Sequence, residues 1–285
     1  MKKSLKQLRP AVFMHIQKTA GTSIVNLARN YYGNDNVMSH ADHMEGCPEE
    51  GAAYALFFNR DKLLVRHNNK KFISGHFGYD FCSTFMKDRY SFTFLRDPKE
   101  RLLSFYFFCR SQPAEHFFIY ALAQKHSLDD FLRFALANTH EALQVKSLIR
   151  NQQAWMLAHG MCNSDGRHRE RFSEAEIQEL AFKHLENFNH IGVTENFKQD
   201  RDIILKALGI PLPEQNLKYN ATSTRAKMNE LPDSTLNLLS ELTAMEQPIY
   251  DWVVKRNALN KKLSGLSAAF FRLGKRAKSY FTKTE

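Results

Sequence analysis

Apolar positions in this chain fall into short runs that end abruptly at small or charged residues, and the runs alternate with stretches of helical spacing. Ala11 to Ile16 reads as a strand, and after a tight turn Ile24, Leu27, Ala28 and Tyr31 recur at the spacing of an amphipathic helix. Tyr32 to Arg60, rich in Gly, Asn, Asp and His, reads as an irregular connection with little regular structure before Tyr54 to Phe58. Lys71 to Ser74 and Ser91 to Leu95 are two further strands, the second running into Pro98, which suits a first helical turn. Ser127 to Ala137 and Ser173 to Asn187 have helical periodicity, with Leu128, Phe131, Leu132 and Ala135 on one face of the first. Leu236, Leu239, Leu242, Met245, Ile249 and Val253 mark a long helix, or a pair of helices, from Asp233 to Val254. Strands that alternate with helices predict an α/β fold with a mainly parallel sheet between helical layers.

The chemistry collects where strands end. After the first strand, Lys18, Thr19, Ala20, Gly21, Thr22 and Ser23 combine a positive charge, small residues and hydroxyls at a helix N-terminus, which is how an α/β protein holds an anion. The plainer reading is a helix cap, but a cap needs only one Ser or Thr. A Walker A loop is disfavoured, because Lys18 precedes Gly21 and no earlier glycine opens the turn. At the end of the second strand His76 stands between Gly75 and Gly78, either as a general base or as a histidine satisfied in a glycine turn. At the end of the third, Arg96 offers a planar fork for a phosphate, with Ser104 on the following helix; its alternative is an ion pair with Asp97 or Glu100. Open parallel sheets bind ligands at the carboxyl ends of their strands, so these three sites are expected to share a cleft.

Composition narrows the partners. A length of 285 residues and 43% hydrophobic content allow one large α/β domain, here drawn over residues 1–255 with a tail at 256–285. The formal charge of +10 predicts anionic partners: nucleotides, sulfated or uronic glycans, nucleic acid or a lipid surface. The four cysteines, Cys47, Cys82, Cys109 and Cys162, form no C-x-x-C pair and suit free thiols in a reducing compartment. His40, His43 and Cys47 have no fourth partner at a zinc spacing, so no metal is expected. Met1 to Pro10 leads straight into the first strand without the apolar core of a secretory signal, and no run reaches the roughly 18 apolar residues of a membrane span. The chain therefore reads as cytoplasmic, with peripheral attachment at the inner membrane face as an option. In the tail, Lys261, Lys262, Arg272, Lys275 and Arg276 alternate with Leu263, Leu266, Phe270 and Phe271, a basic amphipathic pattern for an anionic membrane or glycan, or for packing on the domain.

Two stretches together resemble a known family. His15-Ile16-Gln17-Lys18-Thr19-Ala20-Gly21-Thr22-Ser23 resembles the 5′-phosphosulfate loop of carbohydrate sulfotransferases that use 3′-phosphoadenosine 5′-phosphosulfate, usually H-I-P-K-T-[AG]-G-T-S. Arg96-Asp97-Pro98 through Arg101, Ser104 and Tyr106 resembles their 3′-phosphate motif, R-D-P-x-x-R-x-x-S-x-Y. Ser74-Gly75-His76-Phe77 resembles the segment carrying the catalytic base in the heparan sulfate 2-O-sulfotransferase branch, where a second histidine stands at the place of Ser74. Gln17 departs from the usual proline without removing a donor. Asn151-Gln152-Gln153 and the strand-to-helix junction His190 to Phe197 are similar to further anchors, so the likeness spans about Val12 to Tyr250.

The resemblance implies a P-loop-like fold and sulfuryl transfer from that sulfonucleotide to an acceptor hydroxyl on a carbohydrate or glycolipid, leaving adenosine 3′,5′-bisphosphate. Lys18 would stabilise the departing phosphate, Thr19 to Ser23 would hold the 5′ end, Arg96 and Ser104 the 3′-phosphate, and His76 would deprotonate the acceptor. A late loop carried over to Thr222, Ser223 and Arg225 would close on the adenosine end. His159 and His168, in a stretch read as a loop near the acceptor cleft, fit exposed loop histidines better than acceptor contacts. The rival readings are a P-loop kinase, which lacks its magnesium ligands here, and a non-catalytic binder of anionic glycan or nucleic acid. No nucleic acid partner is expected.

Overall fold

Successive strand residues point to opposite faces of a sheet, and β1 (Ala11–Met14) uses every one of them in a core. The computed structural model describes residues 8–38, 67–137, 139–160, 171–213 and 226–262. Within them β1 lies at the centre of a five-stranded sheet with β2 (Val37–Met38), β3 (Phe72–Gly75), β4 (Tyr90–Leu95) and β5 (His190–Val193), in the order β2-β3-β1-β4-β5. All of the pairings are parallel. Burial on both faces explains why these strands read as unbroken apolar runs rather than alternating ones.

The helices, in chain order, are α1 (Gly21–Tyr32), α2 (Tyr79–Cys82), α3 (Pro98–Arg110), α4 (Phe118–Lys125), α5 (Leu128–Phe134) and α6 (His140–Ile149). They continue with α7 (Gln152–Ala158), α8 (Glu174–Leu185), α9 (Phe197–Leu208), α10 (Asp233–Leu242) and α11 (246–262). Ala11, Phe13, Phe72, Phe92 and Phe94 face α1 and α9, packing on Ile24, Leu27, Ile204 and Leu208. Val12, Met14, Ile73, Ile191 and Val193 face the other way, onto Trp155 of α7, Leu185 of α8 and Ile249 and Val253 of α11. This is the three-layer, P-loop-like α/β arrangement. A third core gathers α3, α5, α6 and α10 around Leu102, Phe105, Phe131, Leu132, Val145 and Leu239.

Local chemistry explains the helix starts. Pro98 opens α3 and the Asp97 carboxylate accepts the Glu100 N–H at 3.0 Å. Ser173 and Glu176 form a reciprocal capping box at α8. The apolar stripe after Asp233 is a pair of helices, broken at 243–245, and α11 runs on past residue 255. Within the stretch read as irregular, Asn34–Asn36 forms a 3₁₀ turn and Val37–Met38 adds the edge strand β2, paired with β3. Two residues are too few for a periodic signal.

Among the described residues no helix is long and apolar enough to cross a membrane, and no group of three or more His, Cys, Asp or Glu is placed to hold a metal ion. Cys82 and Cys109 are free and buried; burial pushes the Cys109 thiol up to about 12 and raises that of Cys82 as well. Cys47, Cys162, His40, His43, His168, the segment containing Thr222, Ser223 and Arg225, and the tail beyond residue 262 lie outside the described residues.

Phe13 is fully buried and stacks 4.7 Å from Phe92 with rings 7° from parallel. Phe13→Ala should therefore lower the unfolding free energy by about 3–5 kcal/mol, measured by urea denaturation.

Candidate active site

The turn between β1 and α1 is built from two residues in the left-handed region, Lys18 with φ 67° and Ala20 with φ 64°. Alternation of backbone handedness turns successive N–H groups toward one side, the concavity that binds anions. Ala20 is the N-cap of α1; it has no side-chain acceptor to offer, and the first turn carries no acidic residue, so the positive end of the helix dipole is left to a ligand. Thr19 is buried, and its hydroxyl donates to the Ile16 carbonyl at 2.8 Å, bracing the turn from within. Thr22 is exposed and Ser23 buried. The Lys18 ammonium rests 4.1 Å above the Phe108 ring of α3.

Arg96, at the end of β4, reaches this turn: its Nη1 donates to the Lys18 carbonyl at 3.3 Å, and its Nη2 lies 3.3 Å from the Glu100 carboxylate. The pair with Glu100 thus forms, while the guanidinium is also held against the anion turn. Ser104 lies one helical step from Arg101 and one from Phe108, on the same stripe of α3. Arg101 is fully buried, donating to Gln152 Oε1 at 2.6 Å and to the Ile149 carbonyl at 3.3 Å. Tyr106 donates its hydroxyl to the His126 carbonyl at 2.9 Å. Within this stretch, then, Arg101 and Tyr106 are bonded into the architecture, Ser104 is buried, and Arg96 is held at the anion turn.

His76 follows β3. Its Nδ1 lies 2.7 Å from the His15 carbonyl; a carbonyl only accepts, so Nδ1 carries the proton and Nε2 keeps its lone pair. The segment beyond it is pinned to the end of α7. A Cβ on Gly78 would stand 1.9 Å from the Gly160 Cα, Asp80 donates its N–H to the His159 carbonyl at 2.9 Å, and the His159 ring lies 3.2 Å from the Asp80 carboxylate. His159 is therefore a partly buried brace with a 20% exposed side chain rather than an exposed loop histidine, because α7 ends against this turn.

Several supporting residues lie outside the expected set. Gln153 holds the backbone of Arg96 at both ends, accepting its N–H at 3.0 Å and donating to its carbonyl at 3.0 Å. The buried Glu246 of α11 accepts the Gln153 N–H at 2.6 Å and its side-chain amide at 3.0 Å. Gln152 donates to the Gln17 side chain at 3.4 Å, so the residue that replaces the usual proline ties the anion turn to the Arg101 network. The sequence signal for Glu246 was a single acid inside an apolar helical stripe; for Gln153 it was the Asn-x-Gln segment.

A parallel sheet with this strand order, whose central strand opens into a turn suited to an anion, with His76 at one neighbouring strand end and Arg96 at the other, defines a P-loop-like α/β protein. The whole chain specifies which kind: residues 9–256 match the model of the sulfotransferase family. The chain belongs to that family, and sulfuryl transfer is its reaction. No curated protein matches it.

Gln153→Leu leaves both backbone groups of Arg96 without their side-chain partner and removes one of two bonds to the Glu246 carboxylate, which keeps the backbone N–H of position 153. It should cost about 3 kcal/mol of stability, measured by chemical denaturation.

Proposed function

We propose that this sulfotransferase uses 3′-phosphoadenosine 5′-phosphosulfate as donor and sulfates a hydroxyl of a carbohydrate or glycolipid, with His76 as general base. The observation that carries this reading is the fixed His76 tautomer: Nδ1 is engaged by the His15 carbonyl, so Nε2 is a proton acceptor on the same sheet edge as the anion turn. The donor fits the residues present, since the uncapped start of α1, the left-handed Lys18 and Ala20, and Arg96 with Ser104 make two anion-compatible positions for a nucleotide with phosphates at both ends. When bound, it supplies a sulfuryl group attached to a phosphate leaving group.

In this reading the Lys18 ammonium offsets negative charge on that phosphate, and the N–H groups of Thr19 to Ser23 orient it. Thr19 contributes through its backbone, because its hydroxyl is engaged by Ile16. Arg96 and Ser104 hold the 3′-phosphate, with Thr222, Ser223 and Arg225 assigned to the adenosine end. His76 Nε2 takes the proton of the acceptor hydroxyl as its oxygen attacks sulfur. The saccharide assignment rests on the likeness of Ser74 to Phe77 to a base-bearing segment. The same reading places the enzyme in the cytoplasm, with its basic tail as the contact to an anionic membrane face.

Calorimetry with adenosine 3′,5′-bisphosphate should show affinity reduced about tenfold to a hundredfold in Lys18→Ala and Arg96→Ala, the effect of one lost charge-assisted hydrogen bond. Binding that weakens with salt and shows no preference for the bisphosphate would instead indicate a general anion binder. With radiolabelled donor and a panel of glycans and glycolipids, His76→Ala should slow turnover about 10²–10⁴-fold while keeping bisphosphate affinity. Full turnover in that variant would remove His76 as the base.

A further inference from the structure

Parallel pairing of β1 with β3 has a constant offset, from Ala11 opposite Phe72 to Met14 opposite Gly75. One residue further the same offset sets His15 beside His76. Both backbone groups of His15 serve that neighbour: its N–H donates to the Gly75 carbonyl at 3.1 Å, and its carbonyl accepts His76 Nδ1 at 2.7 Å. Its ring is 6% exposed and lies 4.4 Å from the His76 ring at a tilt of 43°, and 5.2 Å from the Phe13 ring at 20°. It also fills the volume that a side chain on Gly21 would need, since a Cβ there would stand 2.0 Å from His15 Cδ2 and Nε2. One imidazole therefore touches the sheet core, the first residue of the anion-binding helix and the other histidine.

We propose that His15 is a positioning residue, whose ring acts as a rigid spacer setting His76 at a fixed distance and orientation from the α1 N-terminus. The inference rests on His76 as the base. A small flat ring suits the position. It stacks near Phe13 and His76, and a Gly21 Cβ would stand 2.0, 2.0 and 2.5 Å from its Cδ2, Nε2 and Cε1, over the flat of the ring, where a branched aliphatic side chain would be too thick and a smaller one would leave His76 without a wall. The carbonyl of His15 fixes which His76 nitrogen holds the proton, and the ring fixes where the other nitrogen points. Because the start of α1 lies over the same ring, a displacement there is carried to His76 through a contact between close-packed groups.

The test uses the full chain with ¹⁵N-labelled histidine. In the native protein His76 should show the single Nδ1–H tautomer. His15→Ala should shift and broaden the His76 ring resonances in a protein that still melts cooperatively, with the Nδ1–H tautomer kept by the carbonyl at position 15. Gly21→Ala should disturb the same His76 resonances from the other side of the ring, and it supplies the reading if His15→Ala does not fold. With an acceptor in hand, His15→Ala should lose about a hundredfold in turnover, the cost of a misplaced reacting group. In a His76→Ala background it should cost nothing more. Unchanged His76 ring resonances in both single variants overturn the spacer, as does full additivity of His15→Ala with His76→Ala. Full turnover of His76→Ala overturns the base assignment and leaves the tautomer result standing on its own.

Discussion

The register of β1 between two parallel neighbours is the constraint on which the site depends. With Met14 opposite Gly75 on one side and Thr93 on the other, β1 and β3 leave the sheet at one level and β4 runs on two residues further, to Leu95. The anion turn and His76 are then neighbours, and Arg96 reaches the turn with its guanidinium. Thr93 reinforces the level by donating its hydroxyl to the Met14 carbonyl at 2.8 Å in the core. A one-residue slip of β1 would move Phe13 from the α1 and α9 face to the α7 and α8 face, so the aromatic packing of the core and the alignment of the site are enforced by the same contacts.

Polar groups buried behind the cleft keep its rim in place. Arg101 is a fully buried cation, and Glu246 is a buried anion accepting two bonds from Gln153. Such groups are costly unless every partner is present. Here the partners are the glutamines of α7, one turned toward the Arg101 guanidinium and the anion turn, the next toward Arg96 and α11. Consecutive residues at a helix start point in different directions, which lets the Asn151-Gln152-Gln153 segment tie α3, α11 and two strand ends together. Asn151 takes the left-handed conformation that starts this helix, with φ 51°, and its side chain accepts the Met245 N–H at 3.1 Å, fixing the break between α10 and α11.

Much of this was legible in the sequence where the signal is local. The turn after Ile16, Pro98 as a helix opener and the helical stretch from Ser173 are read from neighbours within a few positions, and each lies where those neighbours imply. Contacts that depend on residues far apart were not legible. His159 reads as a loop histidine until α7 is seen to end on Asp80. His15 is the clearest case: it reads as part of the run Ala11 to Ile16 and as the first residue of the phosphosulfate motif, and only the register of β1 against β3 makes it the companion of His76. Position 74, two residues before His76, is a serine whose buried hydroxyl has no hydrogen-bond partner among the described residues. The imidazole beside His76 comes from the neighbouring strand instead.

Two of the contacts made by the cations at this edge are individually weak. The contact between Arg96 and Glu100 joins groups that are 17% and 27% exposed, and ion pairs open to water contribute about 0–1 kcal/mol. The ammonium of Lys18 over Phe108 is held by an attraction of about 0.5–2 kcal/mol. A charge-assisted hydrogen bond to a phosphate oxygen contributes about 1.5–3 kcal/mol, more than either contact it would replace. In the proposed reading Glu100 and Phe108 limit the rotamers of the two side chains before the donor arrives. Arg101 is different, because its guanidinium is bonded deep in the core, so in the same reading two arginines five positions apart in one motif divide into a binding group and a structural one.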